Sequence, residues 1–269
     1  KKLLTLIFIF TCLNSFTQKK ILDHSDFNIW NRIQRPQIAS EGNHILYSIQ
    51  TGEKDSKLML KDKQGNLIFH HDRSENGVFT YDSKFALFKI KAWKDSITEM
   101  KRRKVKKDKM PLDTLGIFSI DQLILQKIGN VKSYKIPEKW SGFIAYTYEI
   151  VKVEEEKKNQ DSKISIKNKS SKKIKKPSSK NGYPLVIRNL DSSVEDTIPY
   201  VTNYTFSKKS ESLAYTTTGI KDSVQAGVYV KNLKSNTIKH VYSSNENAKY
   251  YKLSLSDSGK NLAFVVDAD

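Results

Sequence analysis

The chain has 269 residues, of which 38% are hydrophobic and 28% charged, and its formal net charge at pH 7 is +18. This apolar content suffices for a sizeable core and excludes wholesale disorder. Long amphipathic helices and strand–helix alternation are absent, which argues against a parallel α/β sheet.

The first seventeen residues have the pattern of a signal peptide. Lys1 and Lys2 precede the apolar run Leu3–Phe10, and small residues follow at Ser15 and Thr17. The apolar run is too short to span a bilayer, so no stable membrane span is expected. We predict cleavage after residue 17 and an exported bacterial protein, periplasmic or secreted. A buried N-terminal strand is the alternative interpretation.

Cys12, the single cysteine, lies inside this leader segment. A lipid-attachment site is an alternative role for it, although the preceding Ile9-Phe10-Thr11 fits that role poorly. If the leader is removed, the remaining residues contain no cysteine, and disulfides are excluded there.

The next segment, residues 22–33, has a helical pattern. Phe27, Trp30 and Ile33 recur near helical spacing, and Ser25 or Asp26 can cap a helix. We predict a short helix that leads into the repeats and covers apolar core with its aromatic side chains.

A hairpin pattern recurs five times and organises the rest of the chain. Each copy has an apolar strand, a turn of Ser, Asp, Gly or Lys residues, and a second strand with apolar and aromatic residues. The copies are 38–47, 78–88, 134–146, 204–215 and 251–266. Because Ser and Asp recur in these turns, Ser256 and Asp257 are interpreted as turn-forming residues.

A further strand pair follows each of the first four copies. The pairs are 58–60 with 67–69, 115–118 with 125–128, 185–188 with 197–198, and 228–230 with 238–241. Four short strands per unit are typical of a β-propeller blade. We predict an all-β fold, a partial β-propeller of four-stranded antiparallel blades, with about four blades and the first hairpin of a fifth. An open propeller leaves unpaired strand edges, so residues 18–269 are expected to be the N-terminal part of a propeller domain in a longer protein.

Two basic inserts, 91–111 and 151–182, interrupt the units after the second strand and before the third. In the first insert, nine Lys and Arg residues oppose three acids between residues 91 and 109, a balance of +6. Trp93, Ile97 and Met100 predict a helix with one apolar face there. The second insert has eleven lysines against four acids, a balance of +7, and its composition predicts a flexible loop.

Equivalent loops of a propeller emerge on the same face, so the inserts are expected to share one cationic rim. Such a rim favours acidic peptides, anionic glycans or membrane surfaces. The alternative is that both inserts are solvated loops with no partner. Nucleic acid is not an expected partner, because the leader exports the protein and no aromatic residues alternate with the lysines.

The sequence identifies no catalytic, cofactor-binding or metal-binding residue, and no cofactor is predicted. It lacks the Gly-x-Ser-x-Gly, Gly-x-Gly-x-x-Gly, phosphate-loop and His-Glu-x-x-His motifs. His70-His71-Asp72 is the one cluster of potential metal ligands, but adjacent strand residues point to opposite faces, and a turn at a blade end is favoured. Tyr47, Tyr146 and Tyr215 end equivalent strands and are interpreted as packing between blades.

Several stretches carry a family resemblance. They are the leader, the Trp30 segment, the Ser40-Glu41-Gly42 turn, the lysine-rich stretch that leads to Met110-Pro111-Leu112-Asp113-Thr114-Leu115, and the repeated turns of Ser, Asp and Gly, of which residues 256–259 have the form Ser-Asp-x-Gly. Together they resemble the N-terminal propeller of exported bacterial serine peptidases of the prolyl oligopeptidase family. The resemblance covers nearly the whole chain, and its motifs are shared with other propellers, including TolB-like ones.

This resemblance implies a larger parent protein in which an α/β-hydrolase domain follows in cis and carries a Ser-Asp-His triad. The propeller would then shield the active site and select peptide substrates by size, without catalysing the reaction. The alternative function is a non-enzymatic periplasmic scaffold or binding protein of the TolB type. In either case these residues alone are expected to have no peptidase activity.

Overall fold

The computed structural model describes residues 21–149, 177–178, 180–219, 225–244 and 248–268. The predicted leader, residues 1–17, and most of the second insert, residues 151–176, lie outside the described residues.

Blade 1 is a four-stranded antiparallel sheet in which each strand pairs with the next along the chain. Its strands are β1 (Asn31–Ile38), β2 (His44–Thr51), β3 (Lys57–Asp62) and β4 (Leu67–Asp72). β4 is the last strand of this sheet, and a single residue, Arg73, connects β4 to the next strand.

Blades 2, 3 and 4 share one continuous ten-stranded antiparallel sheet, again in chain order. The strands are β5 (Ser74–Phe79), β6 (Phe85–Ile90), β7 (Asp113–Ser119), β8 (Ile124–Lys135), β9 (Phe143–Tyr148), β10 (Tyr183–Asn189), β11 (Glu195–Phe206), β12 (Ser212–Thr217), β13 (Gly227–Asn232) and β14 (Thr237–Tyr242). The helix α1 (Lys94–Arg102) lies between β6 and β7. Blade 5 is represented by β15 (Lys249–Leu255) and β16 (Leu262–Asp267).

Two strands of twelve residues, β8 and β11, each serve two blades. The first part of β8 pairs with β7 as the last strand of blade 2, and its second part pairs with β9 as the first strand of blade 3. In the same way β11 closes blade 3 against β10 and opens blade 4 against β12. The chain changes direction at Asn130 and Tyr200, whose φ angles are 58° and 57°.

A one-residue bulge recurs in the first strand of every blade, where that strand has one more residue than its partner. The bulges lie between Gln34 and Gln37, Glu75 and Val78, Val131 and Ser133, Val201 and Asn203, and Tyr251 and Ser254. A residue with positive φ lies in or next to each bulge; these residues are Arg35, Asn76, Asn130, Tyr200 and Lys252. Because bulges bend a strand and increase its twist, every blade bends at an equivalent point.

Among the described residues the hydrophobic core consists of four clusters, one between each pair of successive blades. The cluster between blades 1 and 2 joins Leu46, Leu58 and Leu60 to Phe88 and Phe118. The others lie between blades 2 and 3, blades 3 and 4, and blades 4 and 5. Face-to-face packing of successive sheets is the stacking expected of propeller blades. The predicted fold class, a partial propeller of four blades and a hairpin of a fifth, is confirmed.

The helix predicted within residues 22–33 is wrong in extent and in burial. A 3₁₀ helix covers only His24–Asn28, and β1 already begins at Asn31. Pairing with β2 outweighs the short helical pattern, because the backbone of this segment gains a full ladder partner. Phe27, Trp30 and Ile33 cover no core and are 52%, 51% and 62% exposed.

The turn favoured for His70-His71-Asp72 is also wrong, since all three residues belong to β4 and pair with β3. His71 and Phe69 point to one side, where the imidazole lies 5.8 Å from the ring of Phe88. Strand pairing therefore continues to the last residue of this cluster.

Candidate functional site: the two faces of the propeller

One face, which we call the turn face, carries the turns between the first and second strands of the blades. In four of these turns the N–H of the first residue donates to the carbonyl five residues on. The pairs are Ala39 to His44, Thr80 to Phe85, Ser207 to Ser212, and Ser256 to Asn261, at 2.8–3.0 Å. The predicted turn-forming role of Ser256 fits this geometry, since its hydroxyl also accepts the N–H of Asn261.

The turns of neighbouring blades are linked to one another. The N–H of Ser40 donates to Ser83 Oγ at 3.0 Å, and Ser207 Oγ donates to the carbonyl of Asp257 at 2.7 Å. The N–H of Lys139 donates to the carbonyl of Lys208. Between the turns of blades 2 and 3 the contact is that of Lys139 Nζ with the ring of Tyr81, 6.0 Å from its centre. All five turns thus lie in a row on one face, and the loops between second and third strands emerge on the other.

We call the opposite face the insert face. The residues where the first insert leaves and rejoins the sheet, which we call its base, form a cluster of ion pairs on this face. Lys91 Nζ lies 2.8 Å from Asp113 Oδ2 and 3.4 Å from Glu75 Oε1, and Lys89 Nζ lies 3.4 Å from the same aspartate. Burial lowers the pKa of Lys91, but the hydrogen bond and charge of Asp113 and the charge of Glu75 outweigh it, so this pKa lies above its ordinary value. The charges at the base are therefore neutralised locally.

Further contacts hold helix α1 against blade 1. The guanidinium of Arg73 lies 4.5 Å from the ring centre of Trp93, directly before the helix. The N–H of Lys94 donates to Asp55 Oδ1 at 3.1 Å, and its Nζ contacts the carbonyl of Glu53. A cleft of about 650 Å³ lies between the helix and the loop that joins β2 to β3. Trp93, Asp55 and Asp72 are among the residues that line it. The predicted helix in the first insert is present, and its position is fixed.

The base of the second insert is built in the same manner. Lys132 Nζ lies 3.2 Å from Glu149 Oε1 and donates to Tyr183 Oη at 2.6 Å. Burial lowers the pKa of Lys132, but the hydrogen bonds to Tyr183 and Glu149 outweigh it and raise the pKa above its ordinary value. Across the neighbouring loop, Thr218 Oγ1 donates to the carbonyl of Asn181 at 2.7 Å. At the base of each insert, a lysine thus forms an ion pair with an acidic side chain.

Of the three tyrosines predicted to pack between blades, Tyr146 and Tyr215 belong to the apolar clusters between blades, whereas Tyr47 is half-buried and belongs to none of the four. Tyr146 and Tyr215 are 3% and 4% exposed, and Tyr215 stacks on Tyr229 with ring centres 5.2 Å apart. Burial and the hydrogen bond to Glu195 raise the pKa of Tyr146, and burial raises the pKa of Tyr215 to about 12. Burial between the blades is thus the largest cause of both shifts, as expected of tyrosines that pack there.

Sequence reasoning did not find the cluster Glu75–Lys91–Asp113 or the contact of Arg73 with Trp93. The residues that contact each other lie 16 to 22 positions apart in the sequence, so no local spacing indicates these contacts. Within the part of the chain that the structure describes, no three His, Cys, Asp or Glu side chains come together as metal ligands would. Among the same residues, no helix has the length and apolar character needed to cross a membrane.

Blade geometry and linked turns define the chain as a β-propeller protein with four-stranded antiparallel blades. No protein-family model and no curated protein matches it. Solved structures with a similar fold include an acylaminoacyl peptidase from Pyrococcus horikoshii, at 9% identity and a TM-score of 0.46, over 91% of this chain and 37% of that chain. A prolyl endopeptidase has 11% identity and a TM-score of 0.47, over 90% and 33% of the two chains.

TolB from Acinetobacter baumannii is also similar, at 10% identity and a TM-score of 0.38, over 86% of this chain and 48% of that chain. At these identities the similarity concerns the fold alone. The chain spans about a third of the length of the two peptidases.

Proposed function

We propose that the chain is the non-catalytic propeller portion of an exported serine peptidase of the prolyl oligopeptidase family. In this proposal the propeller gates the access of peptides to an α/β-hydrolase domain of the same protein. The observation that carries it is the residue signature, from the Trp30 segment to Leu115 and the recurring Ser/Asp/Gly turns, on a chain that folds as propeller blades.

Gating requires a frame that keeps its shape, and two features supply one. The four apolar clusters hold successive blades together, and the row of hydrogen-bonded turns ties them along one face. In the proposal, the complete propeller would exclude a folded protein by its size and admit an extended peptide. The selection acts on size, so it needs no reactive group in the propeller.

The chemistry would come from the hydrolase domain, whose serine attacks the peptide carbonyl and forms an acyl-enzyme that water then hydrolyses. No residue of this chain is assigned to that step, because the sequence contains no nucleophile motif. The propeller would exclude bulky substrates and shield the acyl-enzyme.

The test begins with the gene downstream of Asp269. We expect further blades, then Gly-x-Ser-x-Gly, then Asp and His. The full-length enzyme should cleave short chromogenic peptides, should lose this activity when the motif serine is replaced by alanine, and should not cleave folded proteins. Residues 18–269 alone should be inactive.

A reading frame that ends after closure of the propeller, with no nucleophile motif, would contradict the proposal and favour the TolB-like scaffold. Equal cleavage of short peptides and folded proteins by the full-length enzyme would contradict the gating role alone.

A further inference from the structure

The tip of the first insert, residues 101–109, concentrates positive charge on the insert face. Seven cationic side chains lie within these nine residues, opposed by Asp108 alone. Arg102 is the last residue of α1, and five of the other cationic residues follow it. Their side chains are exposed to solvent; those of Arg102 and Arg103, for example, are 80% and 72% exposed. We call residues 101–109 the basic tip.

Charge pairing differs sharply between the base and the tip of this insert. At the base, Lys89 and Lys91 are paired with Asp113 and Glu75. At the tip, Arg102 and Arg103 share Glu99, at 2.9 and 2.8 Å. The lysines of the tip have no ion pair or side-chain hydrogen bond among the described residues; they are Lys101, Lys104, Lys106, Lys107 and Lys109. Within the first insert, the unpaired charge is thus concentrated in the basic tip.

The backbone holds the basic tip in a defined shape. After α1, the N–H of Val105 donates to the carbonyl of Met100, and the N–H of Lys104 donates to that of Lys101. This pair of bonds is a Schellman motif, with Lys104 at φ 56° in the position that glycine usually occupies. The chain then turns into a short 3₁₀ helix at Lys107–Lys109, so that cations before and after the turn lie close together.

The chemistry of the tip fits an extended anionic surface better than a discrete ligand. Five of its seven cations are lysines, which are hydrated point charges rather than the planar forks that bind one carboxylate or phosphate in two places. No aromatic side chain lies among them to stack on a base, as single-stranded nucleic acids require. Half-exposed Val105 and Met110 accompany the cations, as at the boundary of a bilayer.

We propose that the basic tip docks the propeller, insert face first, on a bilayer surface that contains anionic lipid. The lysines would lie among the lipid headgroups, and the contacts of Arg73, Trp93 and Lys94 with blade 1 would transmit this orientation to the propeller. The proposal does not depend on the peptidase assignment, because it concerns adsorption to a surface and no bond is made or broken.

The test uses residues 18–269 and sedimentation with vesicles of phosphatidylcholine, with or without about one-third phosphatidylglycerol. In the tip variant Lys101, Lys106, Lys107 and Lys109 are replaced by Gln, and Lys104 is kept to preserve the Schellman turn. The matched control replaces Lys63, Lys84, Lys234 and Lys260 by Gln. These four are exposed, carry no ion pair among the described residues and lie in turns of the opposite face.

We expect binding to the anionic vesicles only, weakening as salt rises. The tip variant should bind at least about tenfold more weakly, and the control within about twofold of the parent protein. Both variants should melt like the parent protein, because the replaced side chains are exposed. Residues 151–182 are identical in all three proteins, so the lysines of that segment contribute equally.

Three outcomes would overturn the proposal. The first is no binding to anionic vesicles, and the second is equal weakening of both variants, which would assign binding to the overall charge. The third is displacement from the vesicles by polyglutamate or duplex DNA at a far lower concentration of charge, which would indicate a different class of partner.

Discussion

At the scale of single residues, two buried serines in blades 1 and 2 differ in whether the hydroxyl group has a hydrogen-bond partner. Ser48 is 2% exposed, and its hydroxyl has no hydrogen-bond partner among the described residues. The Ser74 hydroxyl is also buried, but it donates to the carbonyl of Asp72 and contacts His71 Nδ1 at 2.8 Å. An unsatisfied buried hydroxyl is costly, whereas a bonded one contributes to stability.

We therefore predict opposite effects for the same substitution. Ser48→Ala should leave the free energy of unfolding unchanged or raise it by about 1 kcal/mol, and Ser74→Ala should lower it by about 1 kcal/mol. Chemical denaturation of the two variants measures both values. A loss of stability in Ser48→Ala as large as in Ser74→Ala would show that Ser48 has a partner after all.

His71 gives a prediction for pH dependence. Burial, with the charges of Lys127 and Arg73, lowers the pKa of His71 in spite of the hydrogen bond to the carbonyl of Asp72. The unfolded chain then binds a proton at higher pH than the folded one, so stability falls as the pH drops below about 6.5. Denaturation at pH 7.5 and 5 should show a smaller loss for His71→Asn than for the parent protein. His70→Asn retains His71 and should behave like the parent protein; equal losses in all three proteins would refute the assignment.

At the scale of strands, Gly116 in β7 shows how tightly blade 2 is packed. A Cβ atom at this position would lie 2.5 Å from Cε2 of Phe88, which is fully buried. Gly129 in β8 has no atom within 4 Å of its Cβ position. Glycine is thus needed at the first position for space and is dispensable at the second.

Gly116→Ala should lower the free energy of unfolding by about 2 kcal/mol, because Phe88 cannot move without disturbing the cluster between blades 1 and 2. Gly129→Ala, the matched control, should be neutral or slightly stabilising, by about 0.5 kcal/mol. Adding Phe88→Leu to Gly116→Ala should recover part of the loss. If both alanine variants are equally stable, the packing described for Phe88 is incorrect.

The elements show which parts of this fold the sequence predicts. Alternating apolar residues and Ser/Asp turns located every hairpin, because burial and turn chemistry act within a few residues. They did not show that β8 and β11 are continuous, since the direction changes at Asn130 and Tyr200, where no glycine signals a positive φ. They also missed the pairing of Lys91 with Asp113, which depends on tertiary contact alone.

At the scale of the whole molecule, blade 1 leaves one apolar face uncovered. Ile33 pairs with Ile49 and Ile38 with Ile45 across β1 and β2, so all four lie on the side opposite Leu46. Ile33 and Ile38 are 62% and 71% exposed, whereas Leu46 is buried against blade 2. A contiguous apolar face of this kind drives association in water.

Residues 18–269 are therefore expected to self-associate as their concentration rises. Replacing Ile33 and Ile38 by Lys should shift sedimentation-velocity profiles toward the monomer. Val194→Lys alters an apolar residue that is 66% exposed on the turn face, and it should leave the profiles unchanged. A concentration-independent monomer in the parent protein would contradict this role of the blade 1 face.

The two shared strands also govern how the molecule comes apart. Blade 3 takes its first strand from β8 and its last from β11, so unfolding of either whole strand also removes a ladder from blade 2 or blade 4. Blades 1 and 5 have sheets of their own. Backbone amides in the middle three blades should therefore exchange their hydrogens with solvent through one common opening, and those of the outer blades through smaller, earlier ones. The repeats that look alike along the sequence thus differ in cooperativity, with one folding unit in the middle and a more easily opened sheet on each side.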